Sequence, residues 1–120
     1  MSGRRRAGHG ALPPQRQAGK RRSALNDPPE ILEATKGKVP LFVDCSLQSG
    51  LDVFKALALG ATACSIGRPL MARLKENGAQ GVREGVEAIT RDLEYTMAMT
   101  CSKDLSSIDP SVVRMGAFNW

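Results

Sequence analysis

The apolar residues of this chain occur either in short continuous runs or at helical spacing. The alternation of these two patterns along the chain predicts alternating strands and helices. Residues 39–43 and 61–66 are short, largely apolar runs. Such runs are typical of strands that are buried on both faces, as in a parallel sheet. The segments around them repeat apolar residues at helical spacing, which gives the order helix, strand, helix, strand, helix. That order is typical of a parallel α/β fold.

Helix signals border both apolar runs. Residues 27–30, Asp-Pro-Pro-Glu, form a capped helix start, and Gly37 is a stop signal, so we expect a helix of about two turns before the first run. Helix formers fill residues 50–59, and Gly60 follows as a C-terminal cap. Each predicted strand therefore has a helix beside it in sequence.

Two further helices are predicted after the second run. Residues 70–75 form a short one, and residues 78–100 form a long one. The Asp109-Pro110 pair is a stop signal beyond it. The long helix is predicted by apolar residues at helical spacing, namely Val82, Val86, Ile89, Leu93 and Met97.

Positive charge is concentrated at the N-terminus. Residues 1–22 contain seven Arg and Lys and no acid, whereas residues 23–120 contain ten basic and twelve acidic residues. The net charge of +5 therefore belongs to the tail. We predict a disordered basic tail at residues 1–27, for which artefactual or out-of-frame coding is one hypothesis, and a folded segment at residues 28–120. The Pro13-Pro14 pair argues against a helical targeting peptide.

Composition also limits which cellular compartment and which classes of partner are expected. An odd number of cysteines without a C-x-x-C spacing predicts a reducing, cytoplasmic location. Lys55 and Arg68 interrupt the most apolar region, so we expect no membrane span. Few aromatic residues are available to stack on nucleic-acid bases, which disfavours a nucleic-acid partner. We predict no metal site.

Two strand-to-helix loops carry the candidate chemistry, residues 44–50 and the Gly67-Arg68 pair. In a (β/α)8 barrel, the loops after the last two strands and the start of a short extra helix form a phosphate site. Residues 70–75 would be that helix. Amide groups at a helix start attract anions, and an arginine can add a bidentate contact. The sequence therefore predicts a phosphate site at these loops.

The residues that surround these loops resemble a known family. The run V-D-C-S-L-Q-S-G-L-D-V-F-K-A-L-A-L-G-A at residues 43–61 and S-I-G-R-P at residues 65–69 are similar to the end of the FMN-dependent 2-hydroxy-acid oxidases and dehydrogenases, such as glycolate oxidase and lactate oxidase. The resemblance covers about residues 28–113. It implies the C-terminal βα units of a (β/α)8 TIM barrel as a truncated fragment, FMN as cofactor, and a small 2-hydroxy acid as substrate of the complete enzyme.

The resemblance also implies a cofactor site and two departures from it. Cys45-Ser46 stands where the family usually has Gly-Gly, and Gln48 stands where it usually has arginine, which removes a positive charge from the phosphate site. The residues implied to line the ribityl and phosphate end of FMN are Asp44, Cys45, Ser46, Leu47, Gln48, Gly67 and Arg68.

No catalytic residue is assigned. The family's catalytic histidine, substrate-binding arginine and flavin-adjacent lysine lie on earlier strands. His9-Gly10-Ala11 is similar to the family's catalytic run, but Leu12 stands where the arginine belongs. We therefore expect the isolated chain to be inactive.

Several alternatives stay open. Type 2 isopentenyl-diphosphate isomerase and inosine monophosphate dehydrogenase share the loop and helix patterns, whereas the ending M-T-C-S-K-D-L-S-S-I-D favours hydroxy-acid oxidation. A non-catalytic interaction module and a basic-tailed nucleic-acid binder are the remaining classes. Two parallel strands with three helices leave both sheet edges open, so we expect a homo-oligomer or another partner to complete the fold.

Overall fold

The computed structural model describes Leu25, residues 28–44 and residues 47–114. Within these residues the order helix, strand, helix, strand, helix is confirmed, followed by two short 3-10 turns. The elements are α1 (Pro28–Thr35), β1 (Phe42–Val43), α2 (Gly50–Ala58), β2 (Ala63–Cys64), α3 (Arg68–Met99), and the turns Leu105–Ser107 and Pro110–Val112.

The two strands pair in parallel, as the sequence predicts. Phe42 is opposite Ala63 and Val43 is opposite Cys64. Both strands are shorter than the predicted ranges 39–43 and 61–66, and those bounds were wrong. One reason is Pro40, which has no amide hydrogen to donate to a ladder.

Just before β1, a side-chain oxygen replaces a backbone carbonyl as the hydrogen-bond acceptor. The Leu41 amide donates to the Thr62 side-chain oxygen at 3.0 Å rather than to a backbone carbonyl. Within the described residues the sheet has two strands, so each strand has one edge without a neighbour.

The core lies between the sheet and α2 and is small. Its centre is a cluster of buried residues formed by Val43, Leu47, Ala56 and Ala61. Large apolar side chains elsewhere remain exposed, including Phe42 at 70% and Met99 at 69%. The described residues therefore bury only part of their apolar surface against one another.

Helix α3 consists of two halves, residues 68–76 and 79–99, which meet at a kink. Asn77 and Gly78 have non-helical backbone angles, and Gly78 has a φ of 57°. Two separate helices were predicted here, and the break between them is confirmed. The first half begins at Arg68 rather than at residue 70, because Pro69 fits the first turn of a helix, where an amide hydrogen is not needed.

The first half of α3 folds back on the second half at two buried glycines. A Cβ atom on Gly81 would clash with the backbone oxygen of Arg73. A Cβ atom on Gly85 would lie 2.6 Å from Cδ of Arg73 and 2.8 Å from Cδ2 of Leu70. Glycine at both positions therefore permits the close approach of the two halves.

Glycines also follow the ends of α1 and α2. Gly37 has a φ of 67°, and its amide donates to the Leu32 carbonyl at 3.1 Å, which closes α1 where the sequence predicts. The C-cap of α2 is Leu59, and Gly60 follows it with a φ of 99°. None of the helices in the described ranges has both the length and the apolarity that crossing a membrane requires.

Candidate functional site

The parallel sheet brings the two candidate loops to one edge. Val43 ends β1 and its partner Cys64 ends β2, so Asp44 and Ser65 leave the sheet on the same side. The Ser65 amide donates to the Val43 carbonyl at 2.9 Å, which joins the two exits directly. Ligands of parallel α/β folds bind at this carboxyl edge of the strands.

In the first loop, residues 44–49, some of the predicted site residues lie on the surface and one lies in the core. The side chains of Asp44 and Gln48 are exposed, whereas that of Leu47 is only 3% exposed and packs in the core cluster. Cys45 and Ser46 lie outside the described residues, as does His9. Asp44 and Gln48 are thus the described residues of this loop whose side chains are open to a ligand.

The start of α2, which follows the first loop, is capped by side chains of the protein itself. Ser49 Oγ accepts from the Asp52 amide at 3.2 Å, and Asp52 Oδ2 accepts from the Gln48 amide at 3.0 Å. From α3, Asp92 Oδ2 accepts from the Leu51 amide at 3.0 Å. Three amide groups that could bind an anion are therefore already occupied. Asp52 is half-buried, and its carboxylate is held by this cap.

The second loop ends at a helix start without such a cap. Gly67 is the N-cap of α3 and supplies no side-chain hydrogen bond. Arg68 is exposed, and its guanidinium forms no ion pair within the described ranges. A Cβ atom on Gly67 would meet no described atom within 4 Å other than those of its chain neighbours, so space is open beside the helix start.

The donors at this helix start are the amides of Gly67 and Arg68 and the Arg68 guanidinium, because Pro69 has no amide hydrogen and the Leu70 and Met71 amides donate to the Gly67 carbonyl at 3.0 Å. The positive end of the helix dipole favours an anion, and a guanidinium binds phosphate through charge-assisted hydrogen bonds. Gly67 and Arg68, the two residues of this loop that the sequence predicts, therefore lie at a helix start that can attract an anion.

A cleft of about 200 Å³ lies between the two loops and the second half of α3. It brings Gln48 of the first loop together with Pro69, the residue after Arg68. Its walls are formed by Gln48, Ser49, Gly50, Pro69, Leu70, Arg73, Gly85, Ala88, Ile89 and Asp92.

Sequence reasoning missed Arg73 and Asp92. Arg73 lies four residues after Pro69, so a helical-face argument could have grouped it with the helix start. Asp92 reaches the first loop from 41 residues beyond Leu51, and no local sequence signal indicates that contact.

A model of the FMN-dependent dehydrogenase family matches residues 7–115. The chain belongs to this family. FMN is the family's cofactor, which confirms the predicted cofactor. The match begins within the segment that the sequence predicts to be a disordered tail.

Relatives and solved structures give the same family and the fold. The human 2-hydroxyacid oxidase 1 is 41% identical over 86 residues, which are 72% of this chain and 23% of the relative. A structure of mandelate oxidase with benzoyl-formic acid has a TM-score of 0.68 at 32% identity and covers 72% of this chain and 26% of its own. A lactate oxidase of Pediococcus acidilactici has a TM-score of 0.67 at 33% identity and covers 70% of this chain and 23% of its own.

The chain spans about a quarter of the length of the relatives that it matches. The similarity confirms the predicted fold class, the C-terminal βα units of a (β/α)8 barrel. The strand-to-helix loops of this segment are thus loops at the carboxyl edge of a barrel, where active sites of this fold lie.

Proposed function

We propose that this chain supplies the FMN-phosphate-binding segment of an oxidoreductase that converts a 2-hydroxy acid of the lactate or glycolate kind into its 2-oxo acid. The observation that carries the proposal is the start of α3, which has no side-chain cap and where Gly67 and Arg68, which forms no ion pair among the described residues, follow a barrel strand. Mandelate oxidase in complex with benzoyl-formic acid and the human 2-hydroxyacid oxidase support this substrate class.

The described residues serve binding rather than bond making in this proposal. FMN, when bound, supplies the group that accepts two electrons from the hydroxy acid. Arg68 and the α3 start hold its phosphate, and Gln48 offers a neutral amide from the first loop. Removal of the hydroxyl proton needs a base, and the described part of the chain contains no histidine. We therefore expect no turnover of lactate or glycolate by the isolated chain with added FMN.

The test compares FMN with riboflavin, which has the same ring system and no phosphate. Each is titrated with the chain while flavin fluorescence is measured. We expect FMN to bind at least about tenfold more tightly, because a hydrogen bond to a charged group contributes about 1.5–3 kcal/mol. Arg68→Gln should remove most of that preference.

Arg83→Gln is the matched control, since it removes the same charge from an exposed site of α3 where Arg83 pairs with Glu87. It should leave the preference for FMN intact. Equal binding of FMN and riboflavin by the unaltered chain would contradict the proposal.

We also propose that further strands of a barrel cover the open sheet edges, either from a second copy or from another polypeptide. The exposed Phe42 and the single neighbour of each described strand support this. A mass measurement in solution would test it, and a stable monomer with a cooperative unfolding transition would contradict it. The cytoplasmic location and the boundary at residue 27 stay predictions.

A further inference from the structure

The two faces of the parallel sheet are covered unequally. Side chains alternate between the faces along a strand, and residues opposite each other in the register share a face. Val43 and its partner Cys64 lie on the face that packs against α2, where Val43 is only 5% exposed. Phe42 lies on the other face and is 70% exposed. Because helices surround the strands of a (β/α)8 barrel, this second face is the face of the barrel interior.

Asp44 and Ser65 are the next residues of the two strands, and alternation places both on the interior face. The Ser65 amide donates to the Val43 carbonyl at 2.9 Å, so the parallel ladder continues one residue beyond Cys64. Both side chains are exposed, as expected for the face that α2 does not cover. Neighbouring strands lie about 4.8 Å apart, so Asp44 and Ser65 lie side by side at the carboxyl end of the sheet.

The contacts of the described residues leave both side chains available to a ligand. The Asp44 carboxylate forms no ion pair, and neither it nor the Ser65 hydroxyl forms a hydrogen bond within the described ranges. By contrast, the carboxylates of Asp52 and Asp92 accept from backbone amides. Asp44 and Ser65 together therefore present a carboxylate that accepts hydrogen bonds and a hydroxyl that can both donate and accept.

We propose that Ser65, together with Asp44, binds the hydroxyl groups of the ribityl chain of FMN. The inference rests on the proposed function and deepens it. The resemblance to the family implies a place for Asp44 at this end of the cofactor, and Ser65 is a further binding residue beside it.

The charge of Asp44 determines which part of the cofactor fits this pair. A carboxylate repels a phosphate group, whereas it accepts hydrogen bonds from neutral hydroxyls. Arg68 follows Ser65 by three residues, which is at most about 10 Å along the backbone. The ribityl chain of FMN lies between the ring system and the phosphate. Hydroxyls at Ser65 and phosphate at Arg68 therefore follow the order of groups in the cofactor.

The experiment measures the affinity of the full-length chain for FMN, riboflavin and lumiflavin by flavin fluorescence. Riboflavin has the ribityl hydroxyls without the phosphate, and lumiflavin has the same ring system with a methyl group in place of the ribityl chain. Ser65→Ala removes the hydroxyl and Ser65→Thr keeps it. Ser106→Ala is the matched control, because Ser106 is an exposed serine whose hydroxyl donates to Asp104 in the turn after α3. Circular dichroism confirms the fold of each variant.

We expect Ser65→Ala to weaken the binding of FMN and of riboflavin about fivefold each, the size of one neutral hydrogen bond, with lumiflavin unchanged. Ser65→Thr should keep most of the affinity, and Ser106→Ala should keep all of it. Arg68→Gln should act on FMN alone, so the two sites are separated by their ligands. A purely structural role of Ser65 would lower the affinity for lumiflavin as well.

The outcomes separate the inference from the proposed function. If FMN binds more tightly than riboflavin and Ser65→Ala behaves like Ser106→Ala, the inference is wrong and the proposed function stands. If Ser65→Ala weakens riboflavin binding and the unaltered chain shows no preference for FMN, the inference stands and the proposed phosphate site is wrong. An equal loss for lumiflavin, or an equal loss in Ser65→Thr, contradicts the inference. If the unaltered chain binds neither FMN nor riboflavin, both are wrong.

Discussion

The two strand-to-helix loops occupy equivalent places in the fold, but they differ in how the start of the following helix is capped. At the first loop, Ser49, Asp52 and Asp92 accept hydrogen bonds from the amides around the start of α2, and Gly50 is pressed against α3. At the second loop, the start of α3 has no side-chain cap, and space is open beside Gly67. One βα unit thus caps its helix start with side chains, whereas the other has no side-chain cap and leaves the amides of Gly67 and Arg68 without a side-chain acceptor among the described residues.

The largest effect that tests this difference is expected from the glycine of each loop. Gly50→Ala should destabilise the fold by about 3 kcal/mol or more, because its Cβ atom would overlap backbone atoms of Ile89 and Leu93, which cannot move as a side chain can. Gly67→Ala should change stability by less than about 0.5 kcal/mol, because within the described ranges only its chain neighbours lie within 4 Å of the added atom. Urea unfolding followed by circular dichroism measures both.

The same pair of variants can contradict the conclusion that the two loops differ in packing. Equal destabilisation by Gly50→Ala and Gly67→Ala would mean that the second loop is packed as tightly as the first. A loss of FMN affinity in Gly67→Ala without a loss of stability would support the conclusion that the second loop is open to a ligand. The added methyl group would then contact the ligand and not the protein.

A second contrast lies within the first loop, between the buried Leu47 and its exposed neighbour Gln48. Leu47→Ala should cost about 2–3 kcal/mol, because its side chain is only 3% exposed and its removal leaves a cavity beside Val43 and Ala61. Gln48→Ala should leave stability within about 0.5 kcal/mol, since its described hydrogen bond uses the backbone amide. Urea midpoints of the two variants give the comparison, and similar midpoints would show that Leu47 is not part of the core.

The sequence predicted the elements well because their signals are local. Apolar runs, helix formers and the glycines at 37 and 60 indicated the α/β order, and the break near Gly78 was predicted between two helices. The Gly67-Arg68 pair was found because it follows a strand and begins a helix. The resemblance to the FMN-dependent family was confirmed by the match over residues 7–115.

What the sequence did not predict depends on long-range geometry. The contact of Asp92 with Leu51 joins residues 41 apart and leaves no periodic signal. Arg73 enters the cleft because Gly81 and Gly85 let α3 fold back on itself, which is a property of the packed pair of helices. Strand length depends on pairing, and at residues 40–41 a proline and a side-chain acceptor limit the ladder.

A third and smaller effect is expected from one serine of each loop, Ser49 and Ser65. Ser49→Ala should destabilise by about 1 kcal/mol, because Ser49 Oγ accepts from the Asp52 amide as the N-cap of α2. Ser65→Ala, the matched change after β2, should have almost no effect, since its hydroxyl forms no hydrogen bond among the described residues. Thermal unfolding of both variants provides the measurement. A larger loss in Ser65→Ala would contradict the view that the second loop is the open one.

The smallest effect concerns Cys64, which ends β2 immediately before the second loop. Burial raises the pKa of the Cys64 thiol, so at pH 8 less of it is thiolate than its ordinary pKa would give, and Cys101 is the more exposed of the two side chains. Iodoacetamide should therefore alkylate Cys64 more slowly than Cys101, and the difference should shrink as the pH rises or when urea unfolds the chain. Peptide mapping by mass spectrometry gives both rates. Added FMN should slow the reaction of Cys64 further and leave Cys101 unchanged, because the second loop lies beside Cys64; equal protection of both would place the ligand elsewhere.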